Sequence, residues 1–173
     1  GILEYLLCMP GSFEHEAIFV TKAKPALLHT GLLLTGYNPM QLYELGERWW
    51  TEIHKEPSCR LNVSVTWRNG DKLITIPMHK LLLRRRKTTN KKDLYAQNFW
   101  VFNGSFFYEK QYIANLDMTV MAIRPQSSSV IQYGERTIDP YEGDEFGFEI
   151  NNELCPPYDT DVEIVFSVYK KSK

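Results

Sequence analysis

"RLNVSVTWRNGDKLITIP", Arg60 to Pro77, decides the fold class. Leu61, Val63, Val65 and Trp67 alternate with Asn62, Ser64, Thr66 and Arg68, so a strand here turns its apolar set to one face and its polar set to the other. Asn69-Gly70 can supply the two positive φ angles of a type I′ turn between this strand and the next. The stretch reads as a hairpin with one buried face.

Upstream, "ILEYLLC" and "EAIFV" read as short buried strands joined by the turn-forming "MPGS". "KPALLHTGLLLTGYNP" reads as a helix, with Pro25 suited to the first helical position, Gly36 to the C′ position and Pro39 to prevent continuation. It is apolar nearly all round, which predicts a helix covered on most sides. "MQLYELGERWWTEIH" supports a second, amphipathic helix with Leu42, Leu45, Trp49 and Ile53 near one face, weakened at Gly46. Downstream, "MHKLLL" reads as a helical turn and the basic run Arg84 to Lys92 as an exposed loop. Strands are expected in "NFWVFNGSFF", "QYIANL" and "TVMAIR", with a turn around Asn115 to Met118, whereas Ser127 to Glu145 is turn-rich. "DVEIVFSVYK" sets Val162, Ile164, Phe166 and Val168 on one face and should pair inside the sheet. Runs of strands with helices clustered near residues 25–55 favour an α+β domain: a mainly antiparallel or mixed sheet with one or two helices packed against it.

A chain of 173 residues fits one domain, and a chain of that size buries roughly 70% of the surface its unfolded form exposes. The 43% apolar and 24% charged content, with a net charge of −1, excludes a disordered chain and any overall bias toward nucleic acid. Cys8, Cys59 and Cys155 form no CxxC pair, so a four-thiolate cluster is excluded within one chain. The longest apolar stretch, Ala26 to Gly36, falls far short of the roughly 20 residues of a membrane span. The opening "GILEYLLCMPG" lacks the flank and length of an export signal, although a leader removed before Gly1 is compatible with it. GxSxG, P-loop and GxGxxG motifs are lacking, so serine-hydrolase, nucleotide-hydrolase and dinucleotide readings lose their usual support.

The order of four blocks, "LEYLLCMPGSFEHEAIFVTKAKPALLHTGLLLTGYNP", "WVFNGS", "YIANLDMTVMAI" and "PPYDTDVEIVF", resembles the YdjY-like family of uncharacterised bacterial proteins, abundant in planctomycete-type bacteria and often exported. The resemblance spans nearly the whole chain, residues 1–173, and implies an extracytoplasmic setting: periplasmic, envelope-associated or secreted. It implies no established reaction. Family members tend to carry glycine where this chain has Met118 and Asp159, which implies an altered turn at Met118, because glycine tolerates positive φ and methionine does not. Ferredoxin-like relatives would need cysteine clusters that this chain does not have, so no iron–sulfur cluster is expected.

The chemistry-bearing candidates are Glu14, His15, Glu16, His29 and Cys8. A zinc site needs N, O or S ligands converging at about 2–2.3 Å. On a strand, alternation would split His15 from Glu14 and Glu16. A strand over residues 15–20 at about 3.3 Å per residue, and a helix returning at about 1.5 Å per residue, would leave His15 and His29 about 10 Å apart. A metal held by His15, Glu16 and His29 is therefore the weaker alternative, and no cofactor is predicted. His29 suits a core-edge histidine bonded to a backbone carbonyl or carboxylate, and Cys8 a small buried hydrophobe. Trp100, Phe102 and Phe106 can form an aromatic binding surface, although strand burial explains them equally well. The basic run lacks aromatic residues for stacking on single strands, so no nucleic-acid partner is expected. The expectation is a non-enzymatic domain that binds a protein or small-molecule ligand or serves as a structural module; the alternative is a metal-dependent or hydrolytic enzyme centred on His15, Glu16 and His29.

Overall fold

The hairpin from Arg60 to Pro77 is present in the computed structural model, which describes residues 3–84, 96–135 and 147–169. Strand β3 (Arg60–Asn69) buries Leu61, Val63, Val65 and Trp67 and leaves the alternate positions at least partly open. Each of these apolar side chains contributes about 1.5–3 kcal/mol of hydrophobic stabilisation. Strand β4 (Lys72–Pro77) pairs with it from Asn69↔Lys72 to Ser64↔Pro77. The loop between them is Gly70-Asp71, one residue later than the sequence suggests, and only Gly70 (φ 60°) has a positive φ. That is the demand of a type II′ turn, which needs glycine at its first central position alone.

The main sheet holds eight strands: β3, β4, β1 (Tyr5–Cys8), β2 (Phe19–Val20), β6 (Trp100–Phe102), β9 (Thr119–Ala122), β10 (Ile131–Tyr133) and β12 (Glu163–Val168). Their order is β12-β3-β6-β10-β9-β1-β2, with β4 also on β3. Strand β12 covers one edge of β3 from Leu61 to Thr66, while on the other edge β6 takes Arg60 and Leu61 and β4 takes Ser64 to Asn69. The β9–β10 and β1–β2 pairs are parallel and the others antiparallel, so the sheet is mixed. Residues of β2 and β12, at opposite ends of this order, line one common apolar cleft, so the sheet curls on itself. Among the described residues there are also two smaller pairs: β5 (Leu82–Arg84) with β11 (Phe148–Ile150), and β7 (Phe107–Tyr108) with β8 (Gln111–Tyr112). The result is a mainly β, α+β domain.

Several local readings need correction. Glu14–Glu16 form a 3-10 turn, and the following strand is only Phe19–Val20. Because β1 and β2 run parallel (Leu7↔Phe19), the chain between them must travel back along the sheet, and the 3-10 turn is part of that crossover. Helix α1 (Pro25–Leu34) has the expected proline start, but Leu27 (67% exposed) and Leu34 (83%) face outward, so it is covered on one side only. The second helix breaks at Gly46 (φ 55°) into α2 (Leu42–Leu45), a 3-10 turn and α3 (Trp49–Glu52). Leu42, Trp49 and Ile53 nevertheless join a second small core with Cys59, Phe99 and Val101. Ile113 and Ala114, expected in a strand, and Asn115 to Asp117, in the expected turn, together form helix α4 (Ile113–Asp117), whose Ala114 N–H is bonded by the Ser105 hydroxyl at 3.1 Å. Strand β10 lies in the stretch that reads as turn-rich, where Val130, Ile131 and Tyr133 have no exposed surface. Strand β12 lies at the end of the sheet order rather than inside it. The basic run beyond Arg84 and the turn-rich segment beyond Glu135 lie outside the described residues.

The positions where glycine was expected keep a left-handed backbone: Met118 at φ 55°, ψ 26° and Asp159 at φ 61°. Met118 thus adopts the conformation that glycine tolerates best, and its carbonyl accepts from the Met9 N–H at 2.8 Å, which ties the turn to the end of β1. A left-handed L-residue costs about 1–2 kcal/mol, and glycine returns about 0.5–1 kcal/mol of that through its greater backbone entropy. Met118→Gly is expected to raise stability by about 0.5–1 kcal/mol, seen as a higher urea midpoint at unchanged slope.

Candidate functional site

Helix α1 begins where Asn115 Oδ1 accepts the Ala26 N–H at 3.1 Å, one of the donors that a helix start leaves without an internal partner. One turn later His29 points back into the protein. Its Nδ1 lies 2.8 Å from the Tyr112 hydroxyl, which in turn donates to the Gly104 carbonyl at 3.0 Å. With the hydroxyl proton committed to Gly104, the imidazole must donate through Nδ1–H. The ring stands edge-on to Phe102 (5.3 Å) and Tyr112 (5.2 Å). Burial pushes the His29 pKa down, opposed in part by the Gly104 carbonyl, and burial pushes the Tyr112 hydroxyl up. This core-edge histidine thus has a hydroxyl as its nearest partner, with the Gly104 carbonyl, a partner of the expected kind, beside it.

Gly104 allows this approach. It sits at φ 81°, and a Cβ built on it would lie 2.5 Å from Pro39 Cβ and 3.3 Å from His29 Cε1. Beside it, Asn103 is fully buried; its Oδ1 accepts from the Leu42 N–H at 2.8 Å and its Nδ2 donates to the Ser127 and Ser129 carbonyls at 2.9 and 2.7 Å. The Asn-Gly pair thus joins the start of α2, helix α1 and the approach to β10. Its sequence signal was the dipeptide itself, inside "WVFNGS".

Glu14, His15 and Glu16 share one 3-10 turn, so strand alternation does not separate them. Glu14 Oε1 accepts from the Gly11 N–H at 2.5 Å. His15 Nε2 lies 3.3 Å from Glu16 Oε1 with its side chain 74% exposed. The structure brings these two together; the contacts of His29 are instead with Phe102, Gly104 and Tyr112. Among the described residues no group of three His, Cys, Asp or Glu side chains is placed to hold a metal ion. Cys8 is buried in β1, and burial raises its thiol pKa, the opposite of an activated nucleophile.

Trp100 and Phe102 have no exposed surface, so they form core and not an aromatic face. Phe106 stacks at 4.2 Å on Tyr43, which is exposed, as are Phe107 and Tyr108.

Two of the concavities among the described residues lie against the main sheet. An apolar cleft of about 250 Å³ lies among Leu7, Phe19, Leu28, Val120, Ile164 and Phe166, where the curled sheet brings β2 and β12 together. A larger and polar groove, about 580 Å³, runs over the outer face of β3, lined by Arg60, Asn62, Ser64, Thr75, Asn98 and Ser167. At one end the Arg60 guanidinium is held between the faces of Phe99 and Tyr169, 3.9 Å from each ring centroid. Asn98 Nδ2 donates to Asn62 Oδ1 at 2.8 Å, and Asn62 Nδ2 to the Val168 carbonyl at 3.2 Å. In the sequence, the alternation of β3 announces a core face through its apolar half. The overlooked signal was the polar half, where Asn62, Ser64 and Thr66 are all uncharged.

A curled mixed sheet, short helices and an open polar groove define a small α+β domain. The chain belongs to the YdjY domain family, whose profile matches residues 2–167. No curated protein and no solved structure matches it.

Two outcomes test the His29 junction. Gly104→Ala is expected to destabilise by about 2–4 kcal/mol, from left-handed strain plus overpacking against Pro39, measured by urea unfolding. Because the folded protein holds a proton on His29 less tightly than the unfolded chain does, its contribution is full above about pH 6.5 and lost as pH falls from there through the depressed folded value. Stability should therefore drop between neutral pH and pH values below that window, and His29→Gln should flatten the drop; His79, depressed by burial in the same way, sustains the remainder.

Proposed function

We propose that this domain is a non-enzymatic binding module that works outside the cytoplasm, in the bacterial envelope or as a secreted protein, and takes a small-molecule or polymer ligand in the polar groove on the outer face of β3. The observation that carries the reading is the Arg60 guanidinium, clamped at 3.9 Å between two rings over a groove lined with neutral hydrogen-bonding side chains. Ordering a cation in this way removes rotamer freedom before any ligand arrives, which is the mark of a pre-organised contact. The groups with catalytic potential support the same reading. His29 has its Nδ1 taken up by Tyr112, Cys8 is held as a neutral thiol, and His15 stands in solvent beside Glu16. The extracytoplasmic setting rests on the resemblance to exported proteins of the family.

The immobilised domain, incubated with soluble saccharide fragments of a bacterial envelope, should retain a subset of them and release that subset with unchanged mass in a mass spectrum. Fragments that come back cleaved or modified would overturn the reading in favour of an enzyme, and so would retention of none.

A further inference from the structure

Resting on that reading, we propose that the ligand of the groove is an acidic saccharide, a sugar carrying a carboxylate that Arg60 binds and hydroxyls that the neighbouring amides and hydroxyls bind. Arg60 is short of polar partners among the described residues. Among the described residues no carboxylate pairs with it, and its Nε is buried without a hydrogen-bond partner. Phe99 and Tyr169 cover the two faces of the guanidinium, so its N–H edge is the side left for a ligand. A planar donor fork held by its faces matches a planar carboxylate, which can accept two parallel N–H bonds.

The second requirement comes from Asn98. Its Nδ2 is committed to Asn62, and its Oδ1 is buried with no donor. The ligand must therefore bring an anionic acceptor for Arg60 and, within the same groove, a donor for Asn98. Arg60 and Asn62 are two residues apart on one face of β3, about 7 Å along the strand, which is the scale of one sugar ring. Further along that face lie the hydroxyls of Ser64 and Thr75, and across the pairing Ser167 sits opposite Asn62. These are neutral groups that donate and accept, as a run of ring hydroxyls requires. A peptide carboxy terminus would also satisfy Arg60. It would want apolar recesses for its side chains, and among the described lining residues the apolar surface is that of Val63, Pro77 and the Tyr169 ring already packed on Arg60.

The test uses the unaltered protein first. Binding of a galacturonate trimer is measured by calorimetry beside its methyl ester and a neutral glucose trimer, with a tripeptide bearing a free or amidated carboxy terminus as the other source of a carboxylate. The acid trimer is expected to bind about tenfold to hundredfold more tightly than the ester, since a hydrogen-bonded charge is at stake. Arg60→Gln should remove that preference, and Arg60→Lys should restore only part of it, because an ammonium keeps the charge without the fork. Equal binding of acid and ester would overturn the anion assignment while leaving a binding module in place. Preference for the free-acid tripeptide would overturn the saccharide assignment, as would failure of every probe to bind. Cleavage of the trimer would overturn the underlying reading itself. The ester comparison needs no variant, so a folding defect in Arg60→Gln leaves the test intact.

Discussion

Strand β3 must satisfy hydrogen bonds on both edges and two different solvents on its faces, and the rest of the domain is arranged around that demand. Backbone donors and acceptors removed from water need partners. Strand β12 supplies them along one edge, and β4 with β6 divides the other. The buried face of β3 joins Trp100, Phe102, Ile131 and Tyr133 in the main core. The opposite face, freed from packing, carries Asn62, Ser64 and Thr66, and there the polar groove forms. The same alternation that makes the core thus makes the candidate site.

Two of the polar arrangements in the molecule differ in kind. Around Asn103 and Gly104 nearly every group is matched: the asparagine amide reaches three backbone partners, and His29 and Tyr112 form a chain that ends on a carbonyl. A buried network satisfied in this way specifies one packing of helix against sheet. Around Arg60 the matching is incomplete, with Nε and the Asn98 oxygen left over. Buried polar groups without partners are costly in a fold and useful in a binding site. This difference, more than the residue types present, separates the histidine that looks chemical in the sequence from the arginine that looks ordinary there.

Much of the fold was legible. The apolar alternation of β3, the proline at the start of α1 and the apolar face of Leu42, Trp49 and Ile53 all follow from period and position. The reading failed where a short element takes its identity from a neighbour. Strand β10 is three residues long and is a strand because β6 and β9 lie on either side of it. The 3-10 turn at Glu14–Glu16 replaces a strand because β2 pairs parallel to β1. Met118 and Asp159 keep left-handed backbones although neither is glycine, since the surrounding structure outweighs a cost of about 1–2 kcal/mol each.

By itself, the sequence determined the class of the domain, the inward face of its longest strand and the family to which it belongs, because these depend on periodicity and residue order along one chain. Only the tertiary structure decided which polar residues meet. Tyr112 lies 83 residues from His29 in the chain and bonds it, while Glu16, much nearer in sequence, does not reach it in any contact of the described residues. Phe99 and Tyr169 close on Arg60 from separate strands' ends, a sandwich that no local spacing encodes. Side-chain chemistry is local, whereas convergence depends on strand order, and strand order is set by packing across the whole sheet.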